Sequence, residues 1–102
     1  MIYQLVLPGP IEGVDDFCVL EWHRDEAQDV AAGGLIVELE TQKTIIQLRA
    51  AAPVVLRRIG CRAGEWRRLG EPIGLLSDAA DEPLPEGMPA DLPILELEFD
   101  VE

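Results

Sequence analysis

Residues 35–49 read Leu35-Ile36-Val37-Glu38-Leu39-Glu40-Thr41-Gln42-Lys43-Thr44-Ile45-Ile46-Gln47-Leu48-Arg49, and the fold turns on how they are interpreted. Leu35 to Glu40 and Thr44 to Arg49 are rich in branched side chains and partly alternate apolar with polar residues, as half-buried strands do. The segment Thr41-Gln42-Lys43 between them has hairpin-loop length. Lys43 is therefore expected at the tip of a β-hairpin. It is also the only lysine, since the other basic residues are Arg24, Arg49, Arg57, Arg58, Arg62, Arg67 and Arg68. An ε-amine is a nucleophile that forms amides, whereas a guanidinium does so poorly. The hairpin thus displays the one side-chain amine of the molecule.

Outward from this centre the strand pattern continues. Ile2 to Leu7 is a β run stopped by Pro8-Gly9-Pro10. Phe17 to Trp22, Val54 to Ile59 and Pro72 to Leu76 read as further strands, and Ala31-Ala32-Gly33-Gly34 as a turn. No stretch sustains a period of 3.6, so few helices are expected. There is an internal echo: Val19–Ile36 resembles Leu56–Ile73, aligning Trp22 with Ile59, Gly33 with Gly70 and Ile36 with Ile73. Two similar β-halves joined by a hairpin imply a quasi-twofold sandwich.

A chain of 102 residues is one domain, and with 48% hydrophobic residues it has the means to bury a core. No apolar run is long enough to span a bilayer, and the N-terminus lacks the features of a signal peptide, so a cytoplasmic location without membrane contact is expected. The two cysteines, Cys18 and Cys61, stand far apart and outside any Cys-x-x-Cys pair, which predicts buried free thiols. The net charge of −12 argues against nucleic acid as a partner. Its distribution is uneven. Arg49, Arg57, Arg58, Arg62, Arg67 and Arg68 cluster in the middle, while Asp81, Glu82, Glu86, Asp91, Glu96, Glu98, Asp100 and Glu102 follow without a base. A docking surface for a basic partner is one reading of that acidic end. The single histidine, His23, is expected as a surface or edge residue. No nucleophile–histidine motif, metal-ligand spacing or phosphate loop occurs, so neither catalysis by the chain itself nor a metal site is expected.

The C-terminal quarter changes character. Residues 79–93 are rich in Pro, Glu and Asp and read as a linker. In residues 94–102, Leu95, Leu97, Phe99 and Val101 alternate with Glu96, Glu98, Asp100 and Glu102. That period of two predicts an additional strand on a sheet edge, formed in cis or across a homodimer.

The segment Glu40-Thr41-Gln42-Lys43-Thr44 resembles the Glu-Thr-Asp-Lys-Ala attachment motif of lipoyl domains, part of the biotinyl/lipoyl attachment family. The resemblance extends over roughly residues 3–78. Leu7-Pro8 and Glu12 are similar to the start of the family's pattern, and Val19-Leu20-Glu21-Trp22 to its Val-Val-Glu-Trp. Ala32-Gly33 through Glu38-Leu39-Glu40, then Gly64-Glu65 and Gly70-Glu71-Pro72-Ile73, follow its later motifs in order. The resemblance implies an all-β flattened barrel sandwich of two four-stranded antiparallel sheets over residues 1–78. It implies lipoate joined covalently to Lys43, with Glu40, Gln42 and Thr44 read by a lipoate ligase or lipoyl transferase. The carrier then serves a 2-oxo acid dehydrogenase or a related multienzyme system. Two alternatives stand beside it: a lipoyl-fold interaction module with unmodified Lys43, and a biotin carrier. The sequence departs from the family pattern at Gln42 (Asp), Thr44 (Ala), His23 (usually apolar), and Ala27 and Val54 (usually Gly). At Val54, Pro53 is expected to reshape the turn, because a β-branched residue resists positive φ.

Overall fold

A computed structural model describes residues 1–7, 11–89 and 91–101; the Pro8-Gly9-Pro10 breaker, Ala90 of the expected linker and Glu102 of the expected last strand lie outside the described residues. In chain order the strands are β1 (Ile2–Val6), β2 (Asp16–Trp22), β3 (Asp29–Val30), β4 (Leu35–Glu40), β5 (Ile45–Ala50), β6 (Val54–Ile59), β7 (Trp66–Arg68), β8 (Pro72–Ser77) and β9 (Leu97–Val101). Among the described residues there is no helix, and so none that is long and apolar enough to cross a membrane. The strands form two antiparallel sheets, ordered β1-β8-β6-β3 and β7-β2-β4-β5-β9. The second sheet therefore has one strand more than the four expected, because β9 joins it. β3 and β7 escaped the sequence reading, since two or three residues are too few to display a period.

The two sheets are near-copies. Cys18 faces Glu40, Val19 faces Leu39, Glu21 faces Glu38 and Trp22 faces Val37. Thirty-seven residues later, Val55 faces Ser77, Leu56 faces Leu76, Arg58 faces Leu75 and Ile59 faces Gly74. Even the bulge recurs, between Val19 and Glu21 and between Leu56 and Arg58. The turns agree as well: Ala27 N–H donates to Leu56 O at 2.6 Å, and Gly64 N–H to Val19 O at 2.8 Å. The quasi-twofold relation expected from the echo is thus present residue by residue. The inner faces meet in one core that includes Phe17, Leu5, Ile36, Leu39, Leu48 and Ile73, all fully buried. β5 shows how the sequence directs this, with Ile46, Leu48 and Ala50 buried while Ile45, Gln47 and Arg49 face outward.

At Ala27 the symmetry exposes strain. Its φ is 71°, and the counterpart Gly64 has φ 91°. A Cβ in the left-handed region costs roughly 1–2 kcal/mol. Val54, by contrast, is an ordinary β6 residue paired with Val30. The altered turn at Pro53 therefore demands no positive φ of it.

The C-terminal segment is anchored along its length. Arg57 Nη1 donates to Ala79 O at 3.1 Å and its Nη2 to Glu82 O at 2.8 Å. Arg58 Nη1 donates to Pro85 O at 2.7 Å and to Gly87 O at 2.6 Å. The chain then meets β1: Gln4 N–H donates to Pro93 O at 2.8 Å, and Ile94 bridges Gln4 in parallel. It crosses to the other sheet as β9, with Leu97 opposite Ala50, Phe99 opposite Leu48 and Val101 opposite Ile46. Arg49 Nε donates to Asp100 Oδ2 at 3.0 Å on the outer side. One segment thus touches an edge strand of each sheet.

Two outcomes follow from these contacts. Ala27→Gly relieves the left-handed strain and raises stability by roughly 0.5–1 kcal/mol in urea unfolding, the gain being trimmed by glycine's greater freedom in the unfolded chain. Deleting residues 79–102 lowers stability by about 2 kcal/mol or more, because partly buried Leu95 and Leu97 and the Arg57 and Arg58 bonds are lost. An unchanged melting temperature would refute the second.

Candidate functional site

Lys43 lies in the link between β4 and β5, and the link is closed by Thr41. Thr41 N–H donates to Thr44 O at 2.8 Å. Its Oγ1 accepts from Lys43 N–H at 3.2 Å and Thr44 N–H at 3.1 Å, and donates to Thr44 O at 3.1 Å. A buried hydroxyl thereby satisfies the backbone of a turn that contains no glycine. Its neighbours are left facing solvent: Gln42 and Lys43 are exposed and Thr44 is half-buried.

The turn Ile11–Val14 lies beside this link, held by Val14 N–H donating to Ile11 O at 3.0 Å. Gly13 there has φ +77°, and a Cβ at this position would collide with Lys43 Nζ. The lysine arm therefore rests on bare backbone. Gln42 shares a shallow groove with Gly13, Val14, Asp15 and Asp16. Glu40 is placed differently. It is exposed at the end of β4, with Cys18 and Ile45 as its cross-strand neighbours. The structure thus brings Gln42 and Lys43 together with the 11–16 loop, and sets Glu40 and Thr44 at the strand ends. Sequence reasoning missed Gly13; a lone glycine after Ile11-Glu12 was its only signal.

The site lies at one end of the sandwich. Leu69 N–H donates to Asp15 O, and Gly70 N–H to Leu7 O, so the end of β1 and the approach to β8 are at the lysine end. The start of β1 is at the other end, where Tyr3 Oη donates to Asp78 at 3.2 Å. Among the described residues no carboxylate is ion-paired with Lys43.

Elsewhere the chemistry is quieter. Cys18 and Cys61 are both free and buried, as expected, and burial pushes the Cys61 thiol up, which makes it a poor nucleophile. His23 Nε2 lies 2.6 Å from Glu38 Oε1, and Nδ1 lies 4.0 Å from Glu21 Oε2. The hydrogen bond with His23, helped by one from Gln47, holds the Glu38 carboxyl below the usual carboxylate range.

No family model matches the chain. Among curated proteins it is similar to the dihydrolipoyllysine-residue succinyltransferase component of the 2-oxoglutarate dehydrogenase complex from several bacteria. It is 32% identical to that of Pseudomonas aeruginosa over 78 residues, covering 76% of this chain and 19% of the relative. The Azotobacter vinelandii protein is 31% identical over 78 residues, covering 76% and 20%. That of Bacillus subtilis is 28% identical over 79 residues, covering 78% and 19%. These similarities, together with the two-sheet antiparallel fold, are consistent with a lipoyl domain. The chain spans about a fifth of the length of the curated relatives it matches.

Within the lipoyl-type frame, Thr41 is the residue on which the display of Lys43 rests. Thr41→Val retains the shape and removes the three hydroxyl bonds. It is expected to cost about 1 kcal/mol and to speed hydrogen exchange at the Lys43 and Thr44 amides. Unchanged exchange there would show that the hydroxyl does not hold the turn.

Proposed function

We propose that this chain is a lipoyl carrier in which lipoate is joined through an amide to Lys43 Nζ. The observation that carries the reading is Lys43 itself: the only lysine, exposed in the β4–β5 link and set within Glu40-Thr41-Gln42-Lys43-Thr44. The similarity to succinyltransferase components of the 2-oxoglutarate dehydrogenase complex supports it. When attached, the dithiolane supplies acyl and electron transfer. The chain's own residues do the rest. Thr41 fixes the base of the arm, Gly13 leaves space beside it, and the two sheets keep the amine at the extremity. In this reading the chemistry belongs to partner enzymes: a lipoate ligase or lipoyl transferase, then a 2-oxo acid dehydrogenase component. Glu40, Gln42 and Thr44 are the side chains such a ligase meets first.

The departure at Gln42 favours a second reading, an interaction module with free Lys43. A homodimer through β9 is disfavoured, because antiparallel pairing of two β9 strands sets Glu98 and Asp100 against like charges.

The deciding measurement is the intact mass of protein made in cells supplied with lipoate, alongside Lys43→Arg. The parent gains a lipoyl increment and the variant does not. A parent that stays unmodified with several lipoate ligases selects the interaction module. A biotin increment selects a biotin carrier instead.

A further inference from the structure

We propose that Glu21, His23 and Glu38 form a binding site for a divalent transition-metal ion of the zinc class, on the outer face of the five-stranded sheet. One ligand atom from each of the three side chains lies within 4.8 Å of the others. All three are carried by adjacent strands or their ends, so their Cα positions are fixed. The bulge in β2 is decisive for the arrangement. In an unbulged register Leu20 would face Glu38; the bulge at Leu20 instead sets Glu21 directly opposite Glu38. Like charges in such register destabilise a sheet. Among the described residues no lysine or arginine forms an ion pair with either carboxylate; His23 contacts both, and the charge of Arg49 acts on Glu38 from further off.

The frame does not require this cluster. Under the quasi-twofold relation Glu21, His23 and Glu38 correspond to Arg58, Gly60 and Leu75. The second copy of the same bulged register is built without any of the three ligand types, so the bulge and the sheet are satisfied by other side chains. His23 is, in addition, a position where the family pattern is usually apolar.

The geometry needs only side-chain motion to close on an ion. Bonds of about 2.0–2.2 Å to nitrogen and oxygen put donor atoms of a tetrahedral site about 3.4 Å apart. Glu38 Oε1, at 2.6 Å from Nε2, has to move out by less than about 1 Å to reach that spacing. Glu21 Oε2 lies on the Nδ1 side of the ring, so it has to swing across toward the Nε2 side where Glu38 sits, and at 68% exposure its side chain is free to do so. Gln47 donates to the other oxygen of Glu38 at 3.3 Å, the kind of outer hydrogen bond that aims a ligating carboxylate. An imidazole with two carboxylates favours zinc, cobalt, nickel or copper over magnesium or calcium. Three protein ligands leave a fourth position for water or for a side chain of a partner.

The site is independent of the carrier reading, and its test uses the full chain with Lys43→Arg so that no dithiolane thiols bind the metal. Zinc chloride is titrated calorimetrically, and cobalt(II) chloride is followed by visible absorption. One zinc per chain is expected, with no heat from magnesium chloride. His23→Ala and Glu21→Gln each weaken binding at least tenfold, and Gln47→Ala weakens it about tenfold through the outer hydrogen bond. Glu21→Gln alters an exposed side chain, and an unchanged circular dichroism spectrum separates lost binding from lost fold. The proposal is overturned by no uptake in the parent, by uptake that survives His23→Ala or Glu21→Gln, by equal binding of magnesium, or by uptake that vanishes only in Cys18→Ser or Cys61→Ser.

Discussion

Pairing of Glu40 with Ile45 across a link closed by the Thr41 hydroxyl sets the register of β4 against β5. Side chains alternate along a strand, so a slip of one residue would turn Ile46, Leu48 and Ala50 out of the core and bring Gln47 and Arg49 into it. Everything else inherits that choice. The same register sets Leu39 against Ile46 and Val37 against Leu48 as neighbours, and these face the sheet that contains Leu56, Ile73 and Leu76. It also leaves Lys43 with no inward direction available.

The strands long enough to show a period were legible from the residues. Alternation in β5 and β9 and the branched runs of β1, β4 and β6 announced themselves, because burying one face of a sheet forces apolar side chains into every second position. The quasi-twofold frame was visible for the same reason: two copies of one bulged pattern repeat their glycines and apolar positions. What escaped was long-range and polar. Arg57 and Arg58 clasp carbonyl oxygens of residues 79–87, and any residue supplies a carbonyl, so no side-chain pattern signals it. The acidic, Pro-rich composition of that stretch reports the absence of regular strands, which holds; it carries no information about anchoring.

The candidate site divides in the same way. The lysine, its link and its flanking residues form one contiguous stretch, and local sequence is enough to point to them. Gly13 meets Lys43 only because β1 and β2 bring their connection alongside the β4–β5 link. His23 was expected at the surface or an edge; it is half-buried, at 26% exposure, just past the end of β2, which lies between β7 and β4. Its neighbours Glu21 and Glu38 come together through a one-residue bulge, a feature that two-residue periodicity erases rather than reveals.

The near-symmetry of the frame has a consequence for its direction. Under the quasi-twofold relation Lys43 falls on Ala80, and Thr41 on Asp78. At that second pole Asp78 receives the Tyr3 hydroxyl, Arg57 grips the Ala79 carbonyl, and the chain runs on toward the seam between the sheets. One pole of an almost palindromic body is thus stoppered by its own polypeptide, and among the described residues the other presents a single side-chain amine. The molecule is a pointer rather than a dumbbell: its one side-chain amine stands at one end, so a partner that grasps the body meets it in only one direction.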